Sequence, residues 1–228
     1  MKNSEYIIIS LGGSIIVPDK VDVSFLKIFT DTIKEYVDKG HRFVIITGGG
    51  KLCRTYNEIA STLANPNKKD LDWLGIATTR LNAELVRIAF GDYAHNIIIM
   101  DPESIPHTDK PILLGGGWKP GNSSDLAAVY CALGVNAKKM LNLSNIDFVY
   151  NKDPKKFSDA VPIKSSTWPD FRALLPTEWE PGLNSPFDPI AAEKAESIGL
   201  EVVILNGKNI ENLKNYLDNK EFVGTVIK

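Results

Sequence analysis

The sequence predicts an α/β fold in which a mainly parallel central sheet lies between two layers of helices. Apolar runs of strand length recur along the 228 residues, and amphipathic helical segments lie between them. A run that is apolar on both sides of the pleat is typical of a strand covered on both faces. The alternation of such runs with helices is typical of a parallel α/β sheet.

The positions of the elements follow from the spacing of apolar residues. The predicted strands are Ile7–Leu11, Phe43–Ile46, Ile97–Met100, Ile112–Leu114, Met140–Leu143 and Val202–Leu205. The predicted helices are Val23–Lys39, Leu74–Phe90, Asp125–Leu133 and Pro189–Ile198. In the first helix, Phe25 and Phe29 are four residues apart and share one face. In the second, Leu81, Leu85 and Ile88 are also spaced for one face.

The second half of the chain differs in character from the first. Ser165–Ser185 contains three prolines and two tryptophans, and we expect irregular structure or short helices there, at the edge of this half. The change of character near Gly115–Gly121 marks a boundary between two lobes, residues 1–117 and 118–228. No long polar linker separates these lobes, so residues 1–228 are predicted to form a single domain.

The composition argues against several classes of protein. Hydrophobic residues make up 43% and charged residues 24%, and the formal net charge is −2; a nucleic-acid-binding chain is usually basic. No apolar run approaches the roughly 18 residues of a membrane span, and the polar start lacks a signal peptide. Cys53 and Cys131 form no CxxC pair. We therefore expect a cytoplasmic protein with reduced thiols, no resident metal, and no nucleic-acid or membrane partner.

Three glycine-rich turns follow predicted strands. They are Leu11-Gly12-Gly13-Ser14, Gly48-Gly49-Gly50 and Gly115-Gly116-Gly117, the last continuing to Gly121-Asn122-Ser123-Ser124-Asp125 at a helix start. Glycine lets backbone amides approach an anion closely, and a helix N-terminus adds partial positive charge. Each could be a plain turn, but three at strand ends indicate phosphate binding. The GxxxxGK[ST] and GxGxxG patterns are missing, so another scaffold is required.

A set of short motifs in a fixed order identifies that scaffold by resemblance. The motifs are GGSIIVP (12–18), GGGKLCR (48–54), DWLGI (72–76) with TRLNA (79–83), PGNSSD (120–125), SNIDFVY (144–150) leading to DPKK (153–156), and SPFDPIAA (185–192). The ordered set resembles the amino acid kinase superfamily and, within it, the archaeal-type UMP kinases. The resemblance covers nearly the whole chain.

The resemblance implies a three-layer αβα sandwich and a nucleoside monophosphate kinase. Such an enzyme transfers the γ-phosphoryl group of ATP to UMP, giving UDP for pyrimidine nucleotide synthesis. Mg²⁺ would accompany ATP, residues 1–117 would form the UMP lobe and 118–228 the ATP lobe. The family is generally hexameric, so a homo-hexamer is expected. Because the acceptor is already an anion, direct in-line transfer needs alignment and charge neutralisation rather than a general base.

The resemblance also implies roles for individual residues. Arg54 and Asp125 are the expected catalytic residues, with Arg54 reaching phosphate and Asp125 ordering the catalytic cations. Asp72 would accept hydrogen bonds from the ribose hydroxyls of UMP. The residues expected to bind ATP are Gly13, Ser14, Gly50, Arg54, Ser144, Asn145, Tyr150 and Asp153. The residues expected to bind UMP are Gly49, Asp72, Lys119, Pro120, Gly121, Asn122, Ser123 and Ser124.

Several of these residues have a plain structural alternative. Arg54 could be a solvated helix residue, and Asp72 could be the N-cap of the helix that follows it. Asp125 could be the acidic partner of a helix dipole. Tyr150 could be a core residue whose hydroxyl has one hydrogen-bond partner.

The sequence departs from the family pattern at three places. Ser10 stands where the superfamily commonly has lysine, two residues before the glycine pair, so one expected cation is missing. Phe148 stands where the family usually has glycine, beside the adenine pocket. Trp118-Lys119 lies in the acceptor loop and bears on the identity of the acceptor. The alternative sources of positive charge are Lys51, Lys119 and Lys155.

Two other functions stay open at this point. The first is a relative with a different acceptor, such as carbamate, acylglutamate or isopentenyl phosphate. The isopentenyl phosphate kinases use a histidine near the acceptor turn, where this chain has Lys51 to Arg54. The second is a non-catalytic binder of nucleotides or oxyanions, similar to the molybdenum storage proteins, and the missing lysine at Ser10 favours it.

Overall fold

A seven-stranded sheet lies at the centre of the computed structural model, which describes residues 5–176 and 185–228. In chain order the strands are β1 Tyr6–Leu11, β2 Arg42–Thr47, β3 Ile112–Gly115, β4 Lys139–Ser144, β5 Val149–Tyr150, β6 Pro162–Ile163, β7 Ser165–Ser166, β8 Glu201–Asn206 and β9 Thr225–Ile227. The central sheet has the order β3-β2-β1-β4-β8-β9-β7, and β5 pairs separately with β6. Its neighbouring strands are parallel except β8 and β9, which confirms the predicted sheet.

Helices cover both faces of this sheet. They are α1 Gly13–Ile16, α2 Val23–Asp38, α3 Gly50–Leu63, α4 Lys68–Phe90, α5 Ser124–Gly134, α6 Trp168–Arg172, α7 Pro189–Ser197 and α8 Ile210–Leu217. Buried residues of α2, α4 and α8 join one core cluster, and those of α5, α6 and α7 join the other. The molecule therefore has three layers. Within the described ranges, no helix combines the length with the hydropathy that a membrane span requires.

The two cores follow from the alternation of side chains along the strands. Ile8 and Val44 belong to the cluster beneath α5, whereas their neighbours Ile9 and Phe43 belong to the cluster beneath α2. All four side chains are fully buried. Successive residues of a strand point to opposite faces, so a continuous apolar run serves both cores at once.

Three predicted helices agree with the structure to within one residue at each end, namely α2, α5 and α7. Their starts are fixed by capping side chains. Ser123 Oγ accepts a hydrogen bond from the backbone N–H of Leu126 at 3.1 Å. Asp188 Oδ1 accepts one from Ala191 N–H at 2.8 Å. Such caps satisfy amide groups that the first helical turn leaves without partners.

The predicted strand Ile97–Met100 is wrong. The structure has only an isolated bridge there, between Ile99 and Gly115, with Ile99 N–H donating to Leu114 O at 2.7 Å. The bridge lies beside β3, the edge strand of the sheet. Ile97 and Met100 are exposed, so the apolar run contributes only its central residues to the core.

The second predicted helix begins too late. The structure starts α4 at Lys68 rather than Leu74, and Asn67 caps it by accepting the Asp70 N–H at 2.9 Å. Asp72 therefore lies inside the helix, which rules out the alternative that it is the N-cap. The sequence concealed this start because the first turn of α4 is polar. The spacing of apolar residues reveals a helix only from the point where its apolar face begins.

The apolar face predicted for this helix is on its outer side. Leu81, Leu85 and Ile88 are 61%, 37% and 65% exposed. The sheet-facing side of α4 instead includes Ala83 and Val86, which are fully buried. The helix carries two apolar stripes, and spacing alone does not tell which one meets the sheet.

Several short elements have no counterpart among the predictions, namely α1, α8, β5, β6, β7 and β9. In the Ser165–Ser185 segment the structure has the edge strand β7 and the short helix α6, while Trp179 and Pro181 lie outside the described residues. The central sheet takes β1, β2 and β3 from residues 1–117 and its other strands from residues 118–228.

Candidate active site

The three glycine turns lie side by side at one edge of the sheet. They follow β1, β2 and β3, which are neighbouring parallel strands. The first two turns touch: a Cβ added at Gly13 would lie 2.1 Å from the backbone nitrogen of Gly50. Gly50 also has φ +65°, a conformation that favours glycine. No side chain fits at this contact, so main chain alone forms it, at the edge where ligands of parallel sheets bind.

A cavity of about 450 Å³ opens beside these turns. Its walls come from α3, α4, the start of α5 and the segment that precedes α7. The lining residues are Cys53, Arg54, Asn57, Glu58, Leu71, Asp72, Gly75, Ile76, Thr79, Gly117, Asn122, Ser123, Ser124, Asp125, Ser185, Phe187 and Asp188. The structure therefore brings Arg54, Asp72, Asp125 and the 122–124 segment of the predicted site together in one cavity.

Asp125 is held in the cavity wall by two strand residues. Ser10 Oγ donates to Asp125 Oδ1 at 2.7 Å, and Asn142 Nδ2 donates to the same oxygen at 2.9 Å. Ser10 and Asn142 are paired across the neighbouring strands β1 and β4. Asp125 thus does more than complement the dipole of α5, and the hydroxyl of Ser10 engages the carboxylate where the superfamily commonly has an ammonium.

The surroundings of Asp125 disfavour its charge. Removal from water raises the pKa of this carboxyl to about 6, from an ordinary value of 3.8. The hydrogen bond from Ser10 lowers the pKa, and the nearby carboxylate of Asp188 raises it. Desolvation is the largest of these effects. The site therefore holds a carboxylate whose negative charge is poorly compensated by its surroundings.

Asp188 is a site residue that the sequence predictions missed. It lines the cavity, is 5% exposed, and its backbone N–H contacts the Asp125 carboxylate. One carboxylate oxygen caps α7, while Oδ2 is buried without a hydrogen-bond partner among the described residues. Asn142 was missed as well, although a polar residue within a buried apolar strand was a usable signal. The Asp-Pro helix start concealed Asp188 as an ordinary cap.

Asp72 links α4 to the loop between β3 and α5. Its Oδ2 accepts the backbone N–H of Gly121 at 2.8 Å. Gly121 has φ +82°, and Asn122 N–H closes the same turn on Lys119 O at 3.2 Å. Asp72 therefore faces the cavity and also fixes the tip of this loop. Pro120 lies in the same turn, outside the residues that line the cavity.

The lysines considered as sources of charge lie elsewhere. Lys119 is exposed, and its Nζ lies 3.6 Å from the centroid of the Trp118 ring. Lys155 is exposed, and Lys51 is the second residue of α3, where its backbone N–H donates to Val17 O. Of the described residues that line the cavity, Arg54 is the single one with a basic side chain.

The residues predicted to bind ATP lie beyond this cavity, except Arg54. Gly13 and Ser14 form the start of α1, after β1. Ser144 ends β4, the strand next to β1, and the exposed Asn145 follows it. The remaining ones are the half-buried Tyr150 on β5, the exposed Asp153, and Gly50 at the start of α3. Among them, Gly13 and Gly50 meet at the contact between the first two glycine turns.

Comparison with known proteins shows similarity along the whole chain. A sequence model of the amino acid kinase family matches residues 5–206. The uridylate kinase of Sulfolobus acidocaldarius is 31% identical over 218 residues, which cover 92% of this chain and 93% of that protein. The uridylate kinase of Methanococcus aeolicus is 30% identical over 226 residues, with coverage of 97% and 98%. A crystal structure of the uridylate kinase from Archaeoglobus fulgidus matches with a TM-score of 0.83 at 28% identity, covering 97% and 99%.

The raised pKa of Asp125 predicts a stability that depends on pH. Because its folded-state pKa of about 6 exceeds the ordinary 3.8, the native state binds this proton more tightly than the unfolded chain does. The resulting stability is complete at low pH and is lost as the pH rises through about 6. Asp125→Asn should therefore raise the free energy of unfolding by about 1–3 kcal/mol at about pH 8, and by little at about pH 4.

Urea denaturation at the two pH values measures this difference. The exposed Asp109→Asn provides the matched control, and we expect no comparable gain from it. A gain for Asp125→Asn that is equal at both pH values would contradict the raised pKa.

Proposed function

This chain belongs to the amino acid kinase family, and we propose that it transfers the γ-phosphoryl group of ATP to UMP, giving UDP in pyrimidine nucleotide synthesis. The observation that carries the proposal is the cavity that brings Arg54, Asp72 and Asp125 together, with Cys53 of its wall lying against Gly49 of the second glycine turn. The full-length similarity to proteins named uridylate kinase supports UMP as the acceptor.

The cavity is the proposed acceptor site. Asp72 is placed to accept from ribose hydroxyls through its remaining lone pairs, since Gly121 N–H occupies only one direction. Arg54 offers a planar fork that suits phosphate oxygens. Gly49 and residues 119–124 complete the proposed UMP contacts. Amides at the start of α5 add donors for an anion.

The proposed ATP site lies on the other side of the first two glycine turns. Gly13, Ser14 and Gly50 would hold the polyphosphate through backbone amides. Ser144, Asn145, Tyr150 and Asp153 would surround the ribose and base. Because the two turns touch, the phosphates of the two nucleotides would meet near Gly50, which suits in-line transfer.

The cavity's oxygen donors fit a magnesium ion that arrives with ATP. The carboxylates of Asp125 and Asp188 line the cavity, and Mg²⁺ is commonly bound by one or two carboxylates together with phosphates. In the described ranges no group of three or more His, Cys, Asp or Glu side chains could hold a metal ion by itself. Mg²⁺ neutralises charge that develops on the transferred phosphoryl group.

The protein's own contribution is alignment and charge. The acceptor phosphate is already anionic, so none of these residues needs to remove a proton from it. Arg54 would neutralise phosphate charge, and Asp125 would orient cations at the transfer point. Ser10 keeps Asp125 fixed through the 2.7 Å hydrogen bond without adding a charge of its own.

A second candidate function is nucleotide or oxyanion binding without turnover. Ser10 in place of lysine favours it, and so does the single basic side chain among the described lining residues. Such a protein would bind ATP but would phosphorylate neither UMP nor the acceptors of other family members. Turnover therefore separates the two candidates.

We also propose that the chain forms a homo-oligomer in the cytoplasm, with a hexamer as the size that the family resemblance implies. None of the described side chains of α3 is buried, and Tyr56, Ile59 and Leu63 form an exposed apolar stripe along it. The adjacent α4 exposes Leu81 and Ile88. A second copy is the proposed partner, because one stripe can pack on itself across a two-fold axis. Free cysteines fit a reducing compartment.

We expect UMP to be the preferred acceptor. In a coupled assay with MgATP, kcat/KM for UMP should exceed that for CMP, dUMP, AMP, acetylglutamate, carbamate and isopentenyl phosphate. Arg54→Ala should lower kcat/KM by about 100-fold or more. Arg172→Ala removes an arginine that pairs with Glu196 and should leave the rate unchanged. Rapid labelling of another acceptor, or ATP binding without any turnover, would overturn the proposal.

UMP should protect Cys53 from alkylation. This thiol lines the cavity, so a bound nucleotide at about ten times its Kd should slow its reaction with N-ethylmaleimide roughly tenfold. ATP alone should give much less protection. Cys131 is an internal control because it is fully buried and burial raises its pKa to about 12. Peptide mass spectrometry measures the labelling of both thiols. Equal Cys53 labelling with and without UMP would contradict the proposal that UMP binds in this cavity.

Charges on the α3 stripe should break the oligomer. Light scattering after size-exclusion chromatography should show a smaller species for Ile59→Glu combined with Leu63→Glu, because each glutamate would be buried without a partner. Ile28→Glu is the control, since Ile28 is about as exposed as Ile59 but lies on α2. A monomeric wild-type protein, or an unchanged mass in the double variant, would contradict the proposed interface.

A further inference from the structure

One side chain of α4 holds three carbonyl oxygens near the cavity. Arg80 Nε donates to Gly117 O at 3.1 Å, and its Nη2 donates to Trp118 O at 2.9 Å and to Met100 O at 3.3 Å. The preceding residue adds a fourth contact, because Thr79 Oγ1 accepts the Gly117 N–H at 2.6 Å. The backbone at Gly117 is therefore fixed through both its donor and its acceptor.

The electrostatic setting of Arg80 is unusual for a basic side chain. Burial lowers the pKa of its guanidinium, and in the described part of the chain no carboxylate lies within ion-pair distance of it. Carbonyl oxygens compensate its charge instead. A guanidinium presents several donors in a rigid plane, whereas an ammonium is a single point of charge. The contacts of Arg80 therefore depend on the planar shape of its guanidinium, and no ion pair among the described residues contributes to them.

The segment that Arg80 holds leads directly into the loop proposed to wrap the acceptor. Trp118 precedes Lys119, and the tip of the loop at Gly121 is held by Asp72 at 2.8 Å. Both Arg80 and Asp72 belong to α4, eight residues and just over two turns apart. One rigid helix thus clamps the loop at its base and at its tip.

We propose that Arg80 is a positioning residue that sets the affinity for the acceptor nucleotide by fixing the base of this loop. Arg80 is not among the residues that line the cavity, so it acts through the backbone at Gly117 and Trp118. The identity of the acceptor as UMP rests on the proposed function. The loop's conformation in the ligand-free protein does not rest on it. None of the residues proposed to bind ATP accepts a hydrogen bond that Arg80 is shown to donate, since its acceptors are Gly117, Met100 and Trp118.

Kinetics with two Arg80 variants test this role. Arg80→Lys keeps the positive charge but cannot reach three carbonyls, and Arg80→Ala removes the side chain. We expect KM for UMP to rise about tenfold or more in both, while KM for ATP stays within about twofold. Guanidinium ion in the buffer should partly restore Arg80→Ala. Arg87→Ala is the control on the same helix, because Arg87 pairs only with Glu84 at 2.6 Å in the described structure and should leave both KM values unchanged.

Hydrogen exchange in the ligand-free protein separates this inference from the proposed function. Faster exchange in residues 117–121 of Arg80→Lys would support the clamp. It would do so even if the wild-type protein proved unable to bind UMP, and that failure to bind would refute only UMP as the acceptor. Unchanged exchange together with an unchanged KM for UMP would overturn the role of Arg80. Should Arg80→Ala fail to fold, as judged by its thermal unfolding, Arg80→Lys alone decides between these outcomes.

Discussion

The backbone contact between Gly13 and Gly50 is the constraint on which the rest of the site depends. A side chain at either position would collide with the other turn, so the two strand ends approach as closely as main chain allows. Their parallel neighbours β3 and β4 then bring the acceptor loop and Ser144 to the same edge of the sheet. The two proposed nucleotide sites are thereby adjacent without any residue having to reach between them.

The polar residues around Asp125 lie in a wall that is costly for stability and that suits the proposed binding of a cation. Ser10 and Asn142 occupy buried positions of strands that are otherwise apolar, and both donate to one carboxylate oxygen. Asp188 adds a second buried carboxylate with an oxygen that lacks a described partner. Two acidic groups in a desolvated wall are unfavourable alone and become favourable when a cation binds beside them.

Much of the fold could be predicted from the sequence because strands buried on both faces are apolar without interruption. The six central runs included five true strands, and the failure at Ile97–Met100 arose where an apolar run follows a sheet edge. The glycine turns and the 122–125 segment were found through their chemistry. Asp188 and Arg80 were not found in this way. Asp188 resembles a simple helix cap in the sequence. Arg80 donates to backbone carbonyl oxygens, and such contacts cannot be recognised from the pattern of side chains. The outer stripe of α4 was misassigned because apolar residues on the exposed face of a helix have the same period as those on its buried face.

The length of α4 has a mechanical consequence. One 23-residue helix carries Asp72, the proposed ribose contact, near its start, Arg80 at its middle and an exposed apolar stripe in its second half. A continuous helix of this length moves largely as one unit. A second subunit packed against the stripe would therefore shift Asp72 together with the loop that it holds. In the proposed oligomer, a ligand bound to one subunit would then change the affinity of the next, and saturation by the acceptor would be cooperative.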